Sequence, residues 1–150
     1  MKKTDLAPLI YDRDRADLVR ARKIKRKMLL QQPLTSAEQQ EWNSGLRGAL
    51  NYTDLNRMEE WTAFLAAAMA VPIPVRPGKN WQPREVIFQP DLDRIVENVM
   101  ALGRGFGYPR GWHYLDPEAS MSMKKLNDME WDLALCAKRL EGGGREGENR

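Results

Sequence analysis

Apolar residues in this chain recur at intervals of three and four, and proline and glycine cut the segments that carry them apart. That spacing gathers side chains on one face of an α-helix and does not suit the two-residue alternation of a strand. Leu18, Ala21, Ile24 and Met28 form the first stripe, in a helix expected from about Asp14 to Gln31 and stopped by Pro33. Thr35 followed by Glu38 has capping-box spacing and opens a short second helix that ends near Gly45. A third helix carries Leu55, Met58, Thr62, Leu65 and Met69, widened by Trp61 and Phe64. Thr53 is expected to cap it and Asp54 to sit in its positive first turn. Val71 to Phe88 holds four of the nine prolines and reads as an extended connector; "VIF" has no evident strand partner. Pro90 suits the start of a fourth helix, striped by Leu92, Ile95, Val96, Val99 and Met100 and closed by Gly103. After the loop "GRGFGYPRGWHY", a last helix from about Ser122 to Leu140 carries Leu126, Met129, Leu133, Ala137 and Leu140.

The expected fold is therefore all-α: a compact bundle of four or five helices with long irregular loops. Residues 1–140 form one domain, and "EGGGREGENR" over 141–150 is a disordered polar tail. At 150 residues the chain can bury a real core without staples. Its 42% hydrophobic and 30% charged content is that of a globular protein rather than a disordered one.

One helix opening is written three times. Leu55-Asn56, Leu92-Asp93 and Leu126-Asn127 are each followed by Met58, Ile95 or Met129, and then by Glu59, Glu97 or Glu130. Trp42, Trp81 and Trp112 stand upstream, each suited to pin the loop before its helix. The period of roughly 34–37 residues falls in the range of helical repeats. A true repeat and convergent use of one good helix start both fit.

Few residues offer chemistry. One cysteine, Cys136, and one histidine, His113, exclude an internal disulfide and a Cys/His zinc cluster. His113 could pair with Asp116, but a loop histidine packed among aromatics is the simpler reading. Cys136 lies near an apolar stripe, where a thiol behaves as a small hydrophobe. The Gly103–Gly107 run follows a helix and leads into Tyr108-Pro109, the wrong context for a phosphate-binding turn. No metal, cofactor or catalytic residue is expected. The net charge of +3 is unevenly spread, because Arg20, Arg22, Lys23, Lys25, Arg26 and Lys27 cluster without an acid between them. Such a helix can meet phosphate, an acidic protein surface or water. No helix-turn-helix signature accompanies it. The N-terminus lacks the apolar stretch of a signal peptide, and the longest greasy run is far short of the ~20 residues of a membrane span. A soluble protein made in the cytoplasm, with no membrane partner, is expected.

The block Glu41 to Glu60, "EWNSGLRGALNYTDLNRMEE", resembles a module of tail-associated structural proteins in phages and prophages of Gram-positive bacteria. The matching positions are Trp42, Gly45, Leu46, Arg47 in place of lysine, Gly48 and Ala49, then Asn51, Tyr52, Thr53, Asp54, Leu55, Asn56 and Arg57. Met58, in place of valine, and Glu59 complete the run. Tyr11-Asp12-Arg13 with Ala16-Asp17, Leu92-Asp93-Arg94 and Leu126-Asn127-Asp128 with Glu130 extend the likeness over most of the chain. The basic run and the proline-rich connector depart from it. The resemblance implies a non-enzymatic virion component of the tail or baseplate, bound to other virion proteins and open to homo-oligomer formation. Trp81, Arg104, Phe106, Tyr108, Arg110 and Trp112 are the expected contact residues, since aromatics and arginines on loops are typical interface anchors. The alternative is a small nucleic-acid-binding protein using the Arg20–Lys27 helix. In the motif itself, Gly45 and Gly48 allow a tight turn and Asn51 and Thr53 cap the third helix, as fold determinants rather than catalysts.

Overall fold

The computed structural model describes residues 5–148, with side chains described through residue 142. Five helices follow in order: α1 (Arg15–Leu29), α2 (Ser36–Ser44), α3 (Tyr52–Ala68), α4 (Gln89–Gly105) and α5 (Met123–Glu148), with no strand among the described residues. The fold is all-α, as the periodicity implies.

The first two helices start as their caps dictate. Asp14 Oδ1 accepts from Asp17 N–H at 3.0 Å, while Asp14 N–H donates to Asp17 Oδ2 at 3.1 Å. Thr35 and Glu38 make the same reciprocal pair at 3.1 and 2.9 Å. Of the two residues expected to cap α3, Asn51 is its N-cap and Thr53 is not. Asn51 N–H donates to Asp54 Oδ2 at 2.9 Å, and its side-chain amide turns back to the carbonyls of Leu46 and Ala49. Thr53 lies inside the first turn.

α4 does not close at Gly103. It runs to Gly105 and ends in a Schellman arrangement, with Gly107 N–H donating to Arg104 O and Tyr108 N–H to Gly103 O. Gly107 takes the left-handed residue of that motif, with φ 70°. Gly103 serves packing instead: a Cβ there would lie 2.5 Å from the Trp112 ring. α5 continues past Leu140 through Glu148, so the polar segment from Glu141 continues the helix to that residue; Asn149 and Arg150 lie outside the described residues.

Two apolar clusters result. α3, α4 and α5 pack pairwise around Leu55, Met58, Leu65, Ile95, Val99, Leu102, Met129 and Leu133, all essentially inaccessible to solvent. Each such side chain contributes about 1.5–3 kcal/mol by leaving water. α1 and α2 form a hairpin on a separate small cluster of Ala21, Ile24 and Leu46, edged by Leu34 and Ala49. Met28, expected in the α1 stripe, is 40% exposed. The hairpin is held at Gly48, where a Cβ would stand 2.3 Å from the Asp17 carbonyl oxygen. Arg47 adds ion pairs to Asp12 and Asp17.

The irregular segments are held on the core by three asparagines, each bracketing one residue's backbone from both sides. Asn56 holds Trp81 (2.9 and 2.6 Å), Asn98 holds Arg76 (2.9 and 2.9 Å) and Asn127 holds Arg13 (2.9 and 3.2 Å). An extended segment packed on a helix has no ladder partner, so these amides supply the missing donors and acceptors. The apparent repeat therefore resolves unevenly. Asn56 and Asn127 are equivalent clamps, but Asp93 accepts from Gln89 on its own helix and α4 uses Asn98 instead. The three tryptophans also differ: Trp81 is buried, Trp112 is half-buried, and Trp42 lies within α2 and is 39% exposed. Trp81 does pin its loop, through its indole N–H to Glu59, and Trp61 to Ala7 O and Trp131 to Gly111 O do the same for other segments.

Candidate interaction surfaces

The motif residues converge on one buried polar cluster. Arg13 Nη2 donates to Glu130 Oε2 at 2.5 Å and to Asp54 Oδ1 at 3.1 Å; Arg57 Nη2 reaches the same two oxygens at 2.8 and 2.5 Å. Arg57 Nε also donates to Glu130 Oε1, which accepts Ile10 N–H as well. Two guanidinium groups thus face two carboxylates, all four at most 8% exposed. Burial alone would lower Arg57, but Glu130 and Asp54 outweigh it and raise its pKa above the ordinary value. A second cluster centres on buried Glu59, which accepts from Arg94 Nη1 and Nη2, the Trp81 indole and Lys79 N–H. Both clusters lock helices and loops together, and the polar atoms cited here face each other rather than solvent.

The expected contact residues divide. Trp81 (1% exposed) and Phe106 (5%) are core, because the connector and the α4 terminus fold back over the bundle. Trp112 is half-buried on Gly103. Arg104, Tyr108 and Arg110 are exposed, joined by Tyr114 of the same loop, which is 74% exposed and was not among the expected anchors. Tyr108 contacts Trp112 edge-on at 6.0 Å and Tyr114 at 5.3 Å, making one aromatic patch flanked by two arginines. Tyr108 holds a left-handed φ of 53° and is kept there by the Schellman turn.

α5 holds this loop in place. Asp132 Oδ1 accepts His113 N–H at 2.8 Å, the Trp131 indole donates to Gly111 O at 2.9 Å, and Lys125 reaches the carbonyls of Asp116 and Ala119. His113 stacks on Trp131 and places Nδ1 2.9 Å from Asp128, not Asp116. Asp132 is fully buried and its Oδ2 lacks a hydrogen-bond partner. Burial, reinforced by Asp128 and opposed by the His113 amide, pushes its pKa up to about 7. One turn on, burial and then Asp132 push the Cys136 thiol up to about 12, so the thiolate is scarce at neutral pH. No group of three or more His, Cys, Asp or Glu among the described residues is arranged to hold a metal ion. No described helix is long and apolar enough to cross a membrane.

The basic helix is only partly free. Arg20 pairs with Glu41 at 2.7 Å and Lys27 with Glu38 at 2.6 Å, which lowers Glu38 to about 2 through the Lys27 hydrogen bond and then the Thr35 amide. Arg22, Lys23, Lys25 and Arg26 are exposed and make no ion pair among the described residues. Elsewhere, a groove of about 590 Å³ runs along α3 between Ala63, Phe64 and Ala67 and the Gly78–Asn80 segment. An all-helical fold does not by itself fix a function. No family model, no curated protein and no solved structure matches this chain.

Proposed function

We propose that this chain is a non-enzymatic structural component of a phage virion, a tail- or baseplate-associated module that binds other virion proteins. The phage assignment rests on the Trp42–Glu59 resemblance. The observation that supports a scaffold role is the use of the motif's polar residues: Asn51, Asp54, Asn56, Arg57 and Glu59 are all occupied in holding helices and loops together. The contact face is then the rigidly mounted patch of Tyr108, Trp112 and Tyr114 with Arg104 and Arg110. Tyrosine rings supply large contact area at little entropic cost, and arginine adds oriented hydrogen bonds.

Quantitative mass spectrometry of purified particles tests this reading. A small, fixed copy number per particle, kept through a high-salt wash, is the expected result. Absence from particles, or loss in the wash, would overturn it.

A further inference from the structure

The α1–α2 hairpin carries an outer stripe left exposed by the described residues. Opposite Ile24, the residue that seats α1 on its small core, the helix displays Arg15, Val19, Arg22, Arg26 and Leu29. The intervals alternate between four and three, so at about 100° per residue all five stay within about 40° of one line. Lys23 and Lys25 stand on either side. Val19 is 54% exposed and Leu29 83%, with Leu30 beside it at 53%. Arg15, Arg22 and Arg26 make no ion pair among the described residues, whereas Arg20 and Lys27 on the flanks do. Folding does not account for the stripe. The helix dipole favours Arg26 in the last turn but disfavours Arg15 in the first, and the two aliphatic side chains remain in water.

We propose that this stripe is a docking seam for an acidic, amphipathic α-helix of a partner protein. The inference rests on reading the chain as a protein-binding module and names a second contact surface with the chemistry of its occupant. A 4–3 alternation is a 3.5-residue repeat, which lets two helices run side by side at a crossing of about 20°. Val19 and Leu29 supply apolar contacts near the two ends of the seam. The arginines between them match carboxylates in two-pronged hydrogen bonds that lysine cannot make. A nucleic-acid backbone would answer the charge but would set Val19 and Leu29 against phosphate. A lipid surface would need an apolar centre to the stripe, and here the centre is arginine.

The test is a fluorescence-anisotropy titration of the full chain with a labelled peptide of about three heptads, with glutamate at the core positions that face Arg22 and Arg26 and leucine at those that face Val19 and Leu29. Arg22→Glu/Arg26→Glu and Val19→Gln/Leu29→Gln are compared with the unaltered chain. All four positions are exposed, and unchanged thermal melting verifies folding. Binding that weakens roughly tenfold or more in each double variant is expected. No binding overturns the proposal. So does loss on charge reversal alone together with tighter binding to duplex DNA that falls steeply between about 50 and 200 mM salt, the signature of phosphate contacts. Particle composition is not read in this titration, so either proposal can fail without the other.

Discussion

Arg13 and Glu130, separated by 117 positions in sequence, meet at 2.5 Å with both side chains inaccessible to solvent. Glu130 also serves Arg57 and the Ile10 amide, so one carboxylate ties the N-terminal segment, α3 and α5 together. Removing its charge strands two buried guanidinium groups beside the single carboxylate of Asp54. Glu130→Gln is expected to destabilise the fold by about 3–5 kcal/mol. A double-mutant cycle with Arg13→Ala and Glu130→Ala, followed by urea unfolding, should return a coupling well above about 0.5 kcal/mol; additivity within that margin would mean the pair is not coupled.

Asn98→Ala removes both hydrogen bonds that hold the Arg76 backbone and leaves a part-buried amide and carbonyl without their partner. A loss of about 1–3 kcal/mol is expected. Amide hydrogen exchange discriminates the mechanism, since the Arg76 N–H should lose protection first. Uniform loss across α4 would instead indicate general damage to the helix.

Asp132 makes stability depend on pH in an unusual direction. Its folded value is raised from 3.8 to about 7, so the folded chain keeps a proton that the unfolded chain releases. Stability from this group is fully present below the lower value and is lost as pH rises through about 7. The change is on the order of 2–4 kcal/mol, at about 1.4 kcal/mol per tenfold change in proton activity. Asp132→Asn keeps a carbonyl for the His113 N–H and removes the titration. Thermal melts of the variant should be flatter than those of the parent between these limits and higher at pH 8. Parallel curves would show that Asp132 titrates normally.

Gly48→Ala places a methyl group against the backbone of α1 rather than a side chain that can turn aside. The hairpin must shift, and a destabilisation of about 2 kcal/mol or more is expected. Because its cluster is separate, Trp42 fluorescence and α1 amide exchange should change before the α3–α5 core does. An unaltered melting temperature would refute the close approach.

Tyr108→Ala and Tyr114→Ala truncate exposed rings and should change stability by no more than about 0.5–1 kcal/mol. If the patch is the contact face, the double variant fails to enter particles while remaining folded. Normal incorporation would move the contact elsewhere on the molecule.

Local rules were enough to read the helices from the amino-acid order. The Thr35–Glu38 cap and the proline-rich connector act within a few residues, and the 3–4 stripes set which face turns inward, so these appear in the sequence itself. The motif Asn51–Glu59 was also legible as a fold determinant. What tertiary structure alone decided is where long-range partners fall. Trp81 and Phe106 look like loop anchors in sequence but are covered by chain that folds back over them. Asn98 has no sequence neighbour to reveal it, because its partner is the Arg76 backbone on a segment 22 residues away. Arg13, Asp54, Arg57 and Glu130 are ordinary surface residues by composition. They become a buried, balanced cluster only when the N-terminal segment, α3 and α5 meet and exclude water. Periodicity and capping are written in neighbouring residues, whereas burial and charge pairing are properties of the assembled core.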